Sequence, residues 1–354
     1  FPPKTNKPGD VALEVEHLSG MYSILNDVSF KARKGEILGI AGLDGSGRTE
    51  TLETIFGIAT RKSGTIKLDG KQVSNKNAQD SIKNGFALLT EERRATGIFG
   101  ILNIRENTVI SSLKRHKKGF YLSEKSMKED TQKYIDALRT KTPSQETKIR
   151  ALSGGNQQKV ILGRWLLTDP EVLLLDEPLA ALDLKLRKEM QYELKRIQQE
   201  VGITFIFVTH DQEEALTMSD KIVVMQKGEI LQIGTPQEIY NEPTNRFVAN
   251  FIGESNIISG RMIEDYKVRF DDITFDCVDH GFKENEPVDV VIRPEDIDIV
   301  DVKDGKMTGE VLSVLFKGVH YEIMVETVPG TSVTVNMRVI RNHDVTSEDG
   351  SEKI

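Results

Sequence analysis

The sequence predicts an α/β fold in which helices pack on a parallel sheet, followed by a small β-rich domain. Up to about residue 250, short apolar segments that suit buried strands alternate with segments of helical periodicity, a pattern typical of parallel sheets. Beyond about residue 255, short strands separated by turn residues predominate. That pattern is typical of a small barrel or sandwich.

The strands of the first part are predicted from apolar runs bounded by turn residues. The clearest is the run at residues 37–41, which ends in a glycine-rich turn. Two hairpins are predicted where the pairs Asp69 with Gly70 and Lys227 with Gly228 separate short runs. The predicted strands cover residues 11–15, 28–32, 37–41, 65–68, 71–73, 172–175, 203–208, 222–225 and 230–233.

Helices are predicted between these strands. Residues 105–140 are polar and helix-rich with an interruption at Lys118 and Gly119, and a further helix begins at Ser153. Apolar residues at spacings of four, four and three mark one face of the next helix: Leu186, Met190, Leu194 and Ile197. In the β-rich part, the predicted strands cover residues 288–292, 297–300, 309–314, 321–325 and 333–335.

Composition restricts the class of protein. The net charge of −8 argues against a general nucleic-acid binder, so no nucleic-acid partner is expected. No apolar run approaches the ~20 residues that a membrane span needs. Cys277 is the single cysteine of the sequence, which favours a reducing compartment. Residues 1–10 are predicted to form a linker and residues 346–354 a polar tail.

A glycine-rich loop, here called the phosphate loop, follows the strand at residues 37–41 and opens a helix. Its glycines allow backbone amides to turn toward a bound phosphate, and the helix N-terminus adds positive potential. The Thr49 hydroxyl can ligate Mg²⁺, but Arg48 stands where the consensus has lysine. The alternative is a turn that holds no ligand. The loop and its next neighbour comprise Gly42, Leu43, Asp44, Gly45, Ser46, Gly47, Arg48, Thr49 and Glu50.

Two further strands end in polar residues suited to the same site. The strand at residues 172–175 leads into Asp176 and Glu177, and the strand at residues 203–208 leads to His210. Ligands of open α/β sheets gather at the carboxyl ends of the strands, so these residues and the loop are expected to share one site. Asp176 is suited to hold Mg²⁺, partly through water, and Glu177 to act as general base. Taken singly, the acids could be a solvated strand end and His210 a structural histidine.

A second glycine-rich helix start, here called the signature segment, lies about twenty residues before these acids. Ser153 can cap the helix that follows, and the two glycines after it expose the first amides. The alternative is an ordinary capped helix. The segment comprises Leu152, Ser153, Gly154, Gly155, Asn156 and Gln157.

The order of the phosphate loop, the Leu-Ser-Gly-Gly signature segment, Asp-Glu-Pro and a strand-end histidine resembles the ABC transporter ATPases. The resemblance implies a P-loop NTPase domain at residues 11–250, with an antiparallel β-subdomain and a helical subdomain at about residues 91–165. It also implies an OB-like regulatory domain at residues 255–345. Two ATPase domains, in a homodimer or heterodimer, would hold ATP and Mg²⁺ between the phosphate loop of one and the signature segment of the other.

The resemblance also assigns roles to single residues. Tyr22 stands where the family stacks an aromatic ring on adenine, with an ordinary surface or core tyrosine as the alternative. Asp183 matches the loop that communicates between the two sites, and His210 matches the switch histidine. Glu91 stands where most relatives have a glutamine that senses the γ-phosphate.

Two parts of the chain resemble different branches of the family. Residues 1–178 resemble the second ATPase half of a galactose/methyl-galactoside importer. This resemblance rests on the Gly-Arg-Thr-Glu of the phosphate loop, on residues 89–97 and on the signature segment. From Leu179 onward, the chain resembles the spermidine/putrescine importer ATPases, which carry a C-terminal regulatory domain. We therefore expect a composite joined near residues 176–179.

The resemblance implies the ATP-binding subunit of an importer, a translocase that lies peripherally on the cytoplasmic face of the cell membrane. Its expected partners are integral-membrane permease subunits and an extracytoplasmic substrate-binding protein. Polyamine import is the expected function, and monosaccharide import is the alternative. A further alternative is a subunit that binds ATP but hydrolyses it weakly, because the planar guanidinium of Arg48 does not replace the compact charge of lysine.

Overall fold

The computed structural model describes residues 8–180, 182–301, 303–318, 320–327 and 330–338. The chain divides into two units between Thr244 and Asn245. The predicted tail and residues 1–7 of the predicted linker lie outside the described residues. Among the helices described, none has both the length and the apolar character that crossing a membrane requires.

The first unit alternates strands and helices. Its strands are β1 (Val11–Gly20), β2 (Val28–Arg33), β3 (Ile37–Ala41), β4 (Arg61–Leu68), β5 (Lys71–Gln72), β6 (Phe86–Leu89), β7 (Lys117–Lys118), β8 (Tyr121–Leu122), β9 (Val172–Asp176), β10 (Thr204–Thr209), β11 (Lys221–Gln226) and β12 (Glu229–Gly234). Its α-helices are α1 (Arg48–Phe56), α2 (Ala78–Lys83), α3 (Ile104–Val109), α4 (Glu124–Ala137), α5 (Gly154–Leu166), α6 (Leu184–Val201), α7 (Gln212–Met218) and α8 (Pro236–Asn241). A π-helical turn covers Arg93–Gly97, and 3₁₀ segments cover Ile110–His116 and Ile149–Ala151.

The main sheet of this unit has the strand order β12-β11-β3-β10-β9-β6. Only β12 runs antiparallel to its neighbour. Strands β3, β6, β9 and β10 are buried at every residue, because helices cover both faces of a parallel sheet. This burial explains why they appear in the sequence as continuous apolar runs. A second, antiparallel sheet has the order β2-β1-β4-β5.

The strands predicted for this unit are all present, and the interruption predicted at Lys118 and Gly119 is the two-residue hairpin of β7 and β8. Gly119 adopts φ +62°, which suits glycine at such a turn. The prediction missed β6, a short strand, although the turn signal of Asn84 and Gly85 directly precedes it.

The core of the first unit lies on both faces of the main sheet. One cluster gathers Leu174, Ile206 and Val208 with α1, and the other gathers Leu173, Leu175 and the apolar faces of α5 and α6. Leu179, at the predicted join, is completely buried in the second cluster. The two segments expected to come from different branches therefore share one packed core.

The second unit consists of α9 (Arg246–Ile252) and two antiparallel sheets. Their strands are β13 (Asn256–Glu264), β14 (Lys267–Phe270), β15 (Ile273–Asp276), β16 (Pro287–Ile292), β17 (Gly309–Phe316), β18 (His320–Thr327) and β19 (Ser332–Arg338). The sheet orders are β15-β14-β13-β16 and β17-β18-β19. The β-rich prediction is thus confirmed.

The strand predicted at residues 297–300 is wrong. These residues follow a 3₁₀ turn, Pro294–Asp296, and pair with no strand among the described residues. Ile299 and Val300 are about half exposed, so the apolar pattern that suggested a strand does not face a core.

Leu174 tests the packing of the main sheet. Replacing it with alanine leaves a cavity at a fully buried site, so Leu174→Ala is expected to lower the free energy of unfolding by about 2–5 kcal/mol. The measurement is urea denaturation followed by the fluorescence of Trp165, the single tryptophan. Leu184→Ala, at a 64% exposed leucine, is the matched control and should change it by less than about 0.5 kcal/mol. An equal effect of the two changes would contradict this account of the core.

Candidate functional site

The phosphate loop joins β3 to α1 through two glycines in the left-handed region. Gly45 has φ +71° and Gly47 has φ +100°. A Cβ on Gly47 would lie 3.0 Å from Leu25 Cδ2 and 3.1 Å from Gly228 Cα, so this position requires glycine. Gly47 is the N-cap of α1, and no side chain caps the helix. The first amides of α1 therefore remain available to a bound anion.

Arg48, the first residue of α1, is 4% exposed and lies against two acids. Its Nη2 is 3.0 Å from Asp44 Oδ1 and 3.1 Å from Glu177 Oε1. Its Nη1 is buried and has no hydrogen-bond partner among the described residues. An unsatisfied buried donor is costly, so this nitrogen is suited to receive an acceptor from a ligand.

Glu177 lies just beyond the end of β9 in a strained conformation. Its φ is +40°, an uncommon value for a residue with a Cβ, and such strain is concentrated at functional sites. Its second oxygen, Oε2, is 2.7 Å from His210 Nδ1. Arg48 thus bonds to one carboxylate oxygen and His210 lies against the other, so both compete with a water molecule for the remaining lone pairs of Glu177.

Asp176 and Thr49 form a second polar pair beside this group. The Thr49 hydroxyl donates to Asp176 Oδ1 at 2.9 Å. Burial raises the pKa of Asp176 to about 6, and the nearby carboxylates of Glu177 and Glu91 add to this increase, while the bond from Thr49 opposes it. A cation beside Asp176 would stabilise its ionised form. Asp176 also bonds to the Thr49 hydroxyl, the group that the sequence predicts as a ligand of Mg²⁺.

A pocket of about 390 Å³ opens among these side chains. Most of its lining is acidic, and among the described residues that line it Arg48 is the one permanently cationic residue. The lining residues are Asp44, Gly45, Arg48, Thr49, Glu50, Glu53, Glu91, Glu177 and His210. The structure thus brings together the phosphate loop, the acids and the histidine, as the strand ends predicted.

Other predicted residues lie elsewhere. Tyr22 is 90% exposed and does not line the pocket. Asp183 caps α6, with its Oδ1 accepting from the Leu186 amide at 3.0 Å. The signature segment lies outside the pocket of its own chain, which leaves its amides for another ligand or another chain.

The predicted cap by Ser153 is wrong in detail. Ser153 does occupy the N-cap position of α5, but its side chain makes no bond to a backbone amide. Its Oγ instead accepts from the Asn156 side-chain amide at 2.9 Å. The first turn of α5 therefore has no side-chain cap.

Sequence reasoning missed three residues at or near the site. Glu53 lines the pocket, and burial raises its pKa, with a smaller contribution from Glu50. Its position one turn beyond Thr49 on α1 was a usable signal. Arg93 donates to the carbonyl oxygen of Gly154 at the start of α5, and Arg164, on α5, donates to the carbonyl oxygen of Gly97. No sequence motif predicts such contacts.

Comparison with known proteins decides the family. Residues 25–180 match the family model for ABC transporters, and residues 290–352 match the model for TOBE domains. The spermidine/putrescine import ATP-binding protein PotA of Clostridium acetobutylicum is 47% identical over 342 residues, which cover 95% of this chain and 93% of that protein. The chain belongs to the ABC transporter ATPases. It is accordingly an ATP-binding, ATP-hydrolysing subunit of a transporter.

Further relatives agree with this assignment. The protein of the same name from Clostridioides difficile is 47% identical over 314 residues, covering 88% of this chain and 87% of that protein. Among solved structures, the ADP conformation of MJ1267, an ATP-binding cassette of an ABC transporter, has a TM-score of 0.59 at 23% identity, covering 69% of this chain and 99% of that chain. The cbiO1 structure from Clostridium perfringens has a TM-score of 0.57 at 24% identity, covering 66% and 92%. These two structures confirm the fold.

The comparisons give no support to a composite chain. The alignment with the Clostridium acetobutylicum protein covers 95% of this chain, so it extends over both segments assigned to different branches. The comparisons thus give no evidence of a segment from a galactose importer.

Asp176 gives the site a pH-dependent stability. Because its pKa rises from 3.8 to about 6 on folding, its ionisation opposes folding by up to ~3 kcal/mol above pH 6, and this cost disappears as pH falls toward 3.8. Without nucleotide, Asp176→Asn is expected to raise the free energy of unfolding by about 1–3 kcal/mol at pH 8 and by less at pH 5. Urea denaturation at both pH values checks this, with the exposed Asp10→Asn as control. A destabilised Asp176→Asn variant at pH 8 would contradict the assignment.

Proposed function

We propose that the chain is the ATP-binding subunit of a spermidine/putrescine importer and that it hydrolyses MgATP at the pocket around Arg48. The observation that carries the nucleotide site is the N-terminus of α1 beside Nη1 of Arg48, which have respectively no side-chain cap and no hydrogen-bond partner among the described residues. The cargo assignment is supported by 47% identity to spermidine/putrescine import proteins along most of the chain.

The triphosphate is expected to lie on the amides of the phosphate loop. The buried Oγ of Ser46 and Nη1 of Arg48 both lack partners among the described residues, and phosphate oxygens are suitable acceptors for both. An arginine fork binds phosphate through two donors at once. Arg48 has two guanidinium nitrogens at the site, of which Nη2 is already bound to acids.

A divalent cation fits the charge of the pocket. The lining carries the carboxyl groups of Asp44, Glu50, Glu53, Glu91 and Glu177, which would repel a nucleotide that arrived without a cation. Thr49 and Asp176 offer oxygen ligands of the type that Mg²⁺ prefers. When bound, the metal would neutralise the phosphates and draw Asp176 into its ionised form.

Glu177 is proposed as the general base and His210 as its positioning partner. Hydrolysis requires one Glu177 oxygen to accept a proton from the attacking water. Arg48 occupies Oε1 at 3.1 Å in the structure described here. Because Arg48 competes with the attacking water for this oxygen, we expect Arg48 to exchange Glu177 for a phosphate oxygen before the base acts, and we expect this exchange to slow turnover.

Several further assignments belong to the same proposal. Residues 11–250 are taken as the ATPase domain and residues 255–345 as the regulatory domain. Two chains would pair so that each signature segment faces the phosphate loop of the other, with Tyr22 at the adenine and Asp183 between the sites. The assembly would also include integral-membrane permease subunits and an extracytoplasmic substrate-binding protein. The chain would lie peripherally on the cytoplasmic face of the membrane.

The rate of phosphate release tests the role of Arg48. Arg48→Lys keeps the positive charge, but the lysine side chain reaches less far toward Glu177 and should leave this base free. The change is therefore expected to raise kcat about tenfold, equivalent to ~1.4 kcal/mol in the barrier. Glu177→Gln should lower kcat at least about 10²-fold by removing the base. Arg33→Lys, at an exposed arginine, is the matched control. If the wild type already turns over as fast as Arg48→Lys, the exchange step is wrong.

Uptake experiments test the cargo. In cells that lack their own polyamine-import ATPase but retain its permease, the chain is expected to restore uptake of labelled spermidine, and Glu177→Gln is expected not to. Monosaccharide import is the second candidate, because the loop and residues 89–97 resemble that branch. Restored uptake of galactose by cells lacking the corresponding ATPase, with no effect on spermidine, would favour that candidate and contradict the proposal.

A further inference from the structure

Residues 117–122, here called the basic-aromatic hairpin, lie at the surface of the first unit just before α4. Strand β7 pairs with β8 at Lys117 with Leu122 and at Lys118 with Tyr121. Every residue of this hairpin is exposed. Burial in a core therefore does not explain the character of its side chains, and all of them are accessible to a partner.

Large apolar side chains occupy the tip of the hairpin and β8. Phe120 is fully exposed, Tyr121 is 67% exposed and Leu122 is 42% exposed. Single exposed apolar residues are common on protein surfaces. Three consecutive ones form a patch, and an apolar patch rimmed by charged residues is typical of a surface that binds a protein or a membrane.

The hairpin and the residues before it are also strongly basic. Lys114, Lys117 and Lys118 are exposed, and none of them forms an ion pair with another described residue. Arg115, in the same run, instead pairs with Asp169. The net charge of the chain is −8, so this concentration of positive charge is a local feature. Three lysine charges are thus available to an anionic partner.

The base of the hairpin is held by buried polar contacts. His116, directly before β7, is 1% exposed, and its Nδ1 lies 3.0 Å from Ser126 Oγ. Its carbonyl oxygen accepts from the Ser123 amide at 2.9 Å, and Ser123 in turn is the N-cap of α4. The hairpin is therefore fixed to the start of α4 while its own residues face solvent. Such a fixed presentation reduces the entropy lost on binding.

An anionic lipid surface fits this combination of residues. Ammonium groups are attracted by the negative potential of anionic headgroups. Aromatic rings beside them are favoured in the layer between headgroups and acyl chains. Nucleic acid is also anionic, but it would be repelled by the chain as a whole, and Leu122 offers no ring on which a base could stack.

We infer that the basic-aromatic hairpin binds the anionic surface of a lipid bilayer. Phe120 and Tyr121 enter the headgroup region, while Lys114, Lys117 and Lys118 bind headgroup phosphates. The inference rests on the proposed function, because a transporter subunit works beside a membrane. It adds a direct contact between this chain and lipid to the contacts expected with permease subunits.

Flotation of the purified full chain with lipid vesicles tests this binding. Vesicles of phosphatidylglycerol and phosphatidylcholine in equal parts are compared with vesicles of phosphatidylcholine alone. The wild type is expected to bind the anionic vesicles at least about tenfold more tightly. It should lose most of this binding between about 0.1 M and about 0.5 M NaCl, because salt screens exposed charges.

A charge variant tests the lysines of the hairpin. Lys117→Gln combined with Lys118→Gln is expected to weaken binding to the anionic vesicles about tenfold or more. The matched control is Lys125→Gln combined with Lys128→Gln. It also removes two exposed lysines, but these already pair with acids of their own helix, α4. The control should weaken binding by less than about threefold.

Variants of Phe120 test the tip. The native tryptophan, Trp165, is half-buried against the core, so Phe120→Trp adds a signal from the tip. With anionic vesicles, its emission should shift to shorter wavelength and be quenched by lipids brominated on their acyl chains. Phe120→Ser is expected to weaken binding at least about threefold. Phe282→Ser, at a 44% exposed phenylalanine of the second unit, is the control and should leave binding unchanged.

Several results would overturn the inference. They are a wild-type chain that binds neither kind of vesicle, equal binding to both kinds, and a Lys117 and Lys118 variant that binds like the wild type. Loss of co-purifying permease subunits in that variant, with vesicle binding unchanged, would assign the hairpin to a protein partner instead.

The same experiments separate this inference from the proposed function. Phosphate release and spermidine uptake by the wild type do not require vesicle binding in the flotation assay. A wild type that fails to bind vesicles but retains both activities therefore overturns the inference alone. A wild type that binds anionic vesicles through the hairpin but shows neither activity would contradict the proposed function and leave the lipid contact supported.

Discussion

The parallel register of β3, β10 and β9 places their carboxyl ends side by side, and the whole site depends on it. Ala41 pairs with Thr209, and Val208 pairs with Asp176. Each strand is completely buried, so a shift in register would expose apolar side chains and is strongly disfavoured. The loop after β3, the acids after β9 and the histidine after β10 are consequently brought together by the sheet, and their contacts with one another form on that frame.

Once these strand ends meet, charged side chains determine the geometry of the site. Arg48 is nearly inaccessible to solvent and binds Glu177, itself 8% exposed. Removing two charges from water is costly, and their attraction offsets that cost only with good geometry and further hydrogen bonds. Within the described part of the chain, Arg48 lacks one such bond, at Nη1. The pair is therefore poised to rearrange when a better set of acceptors, such as a triphosphate, enters the pocket.

Much of this arrangement could be predicted from the sequence, because it follows local patterns. Each buried strand, the phosphate loop and the pair of acids after β9 is a short contiguous segment that a local pattern reveals. The sheet topology then determines where these segments meet. The Arg48–Glu177 pair could not be predicted, since it joins side chains 129 positions apart through rotamers that only packing determines. Arg93 and Arg164 were missed for a similar reason: both donate to backbone carbonyls, which every residue offers.

Other predictions failed where a local pattern had no tertiary partner. Residues 297–300 alternate like a strand but find no neighbouring strand among the described residues. Ser153 has the right identity for a cap, but Asn156 competes for its hydroxyl. The expectation of a composite rested on short motifs such as residues 89–97. The alignment over 342 residues instead compares nearly the whole chain with one relative.

Arg48 is proposed to leave Glu177 when nucleotide binds. An experimental structure of the chain with a non-hydrolysable ATP analogue and Mg²⁺ tests it most directly. We expect the separation of Arg48 Nη2 and Glu177 Oε1, which is 3.1 Å without nucleotide, to increase beyond hydrogen-bonding distance while the guanidinium contacts phosphate oxygens. A nucleotide-bound structure in which the Arg48–Glu177 pair remains intact would contradict it.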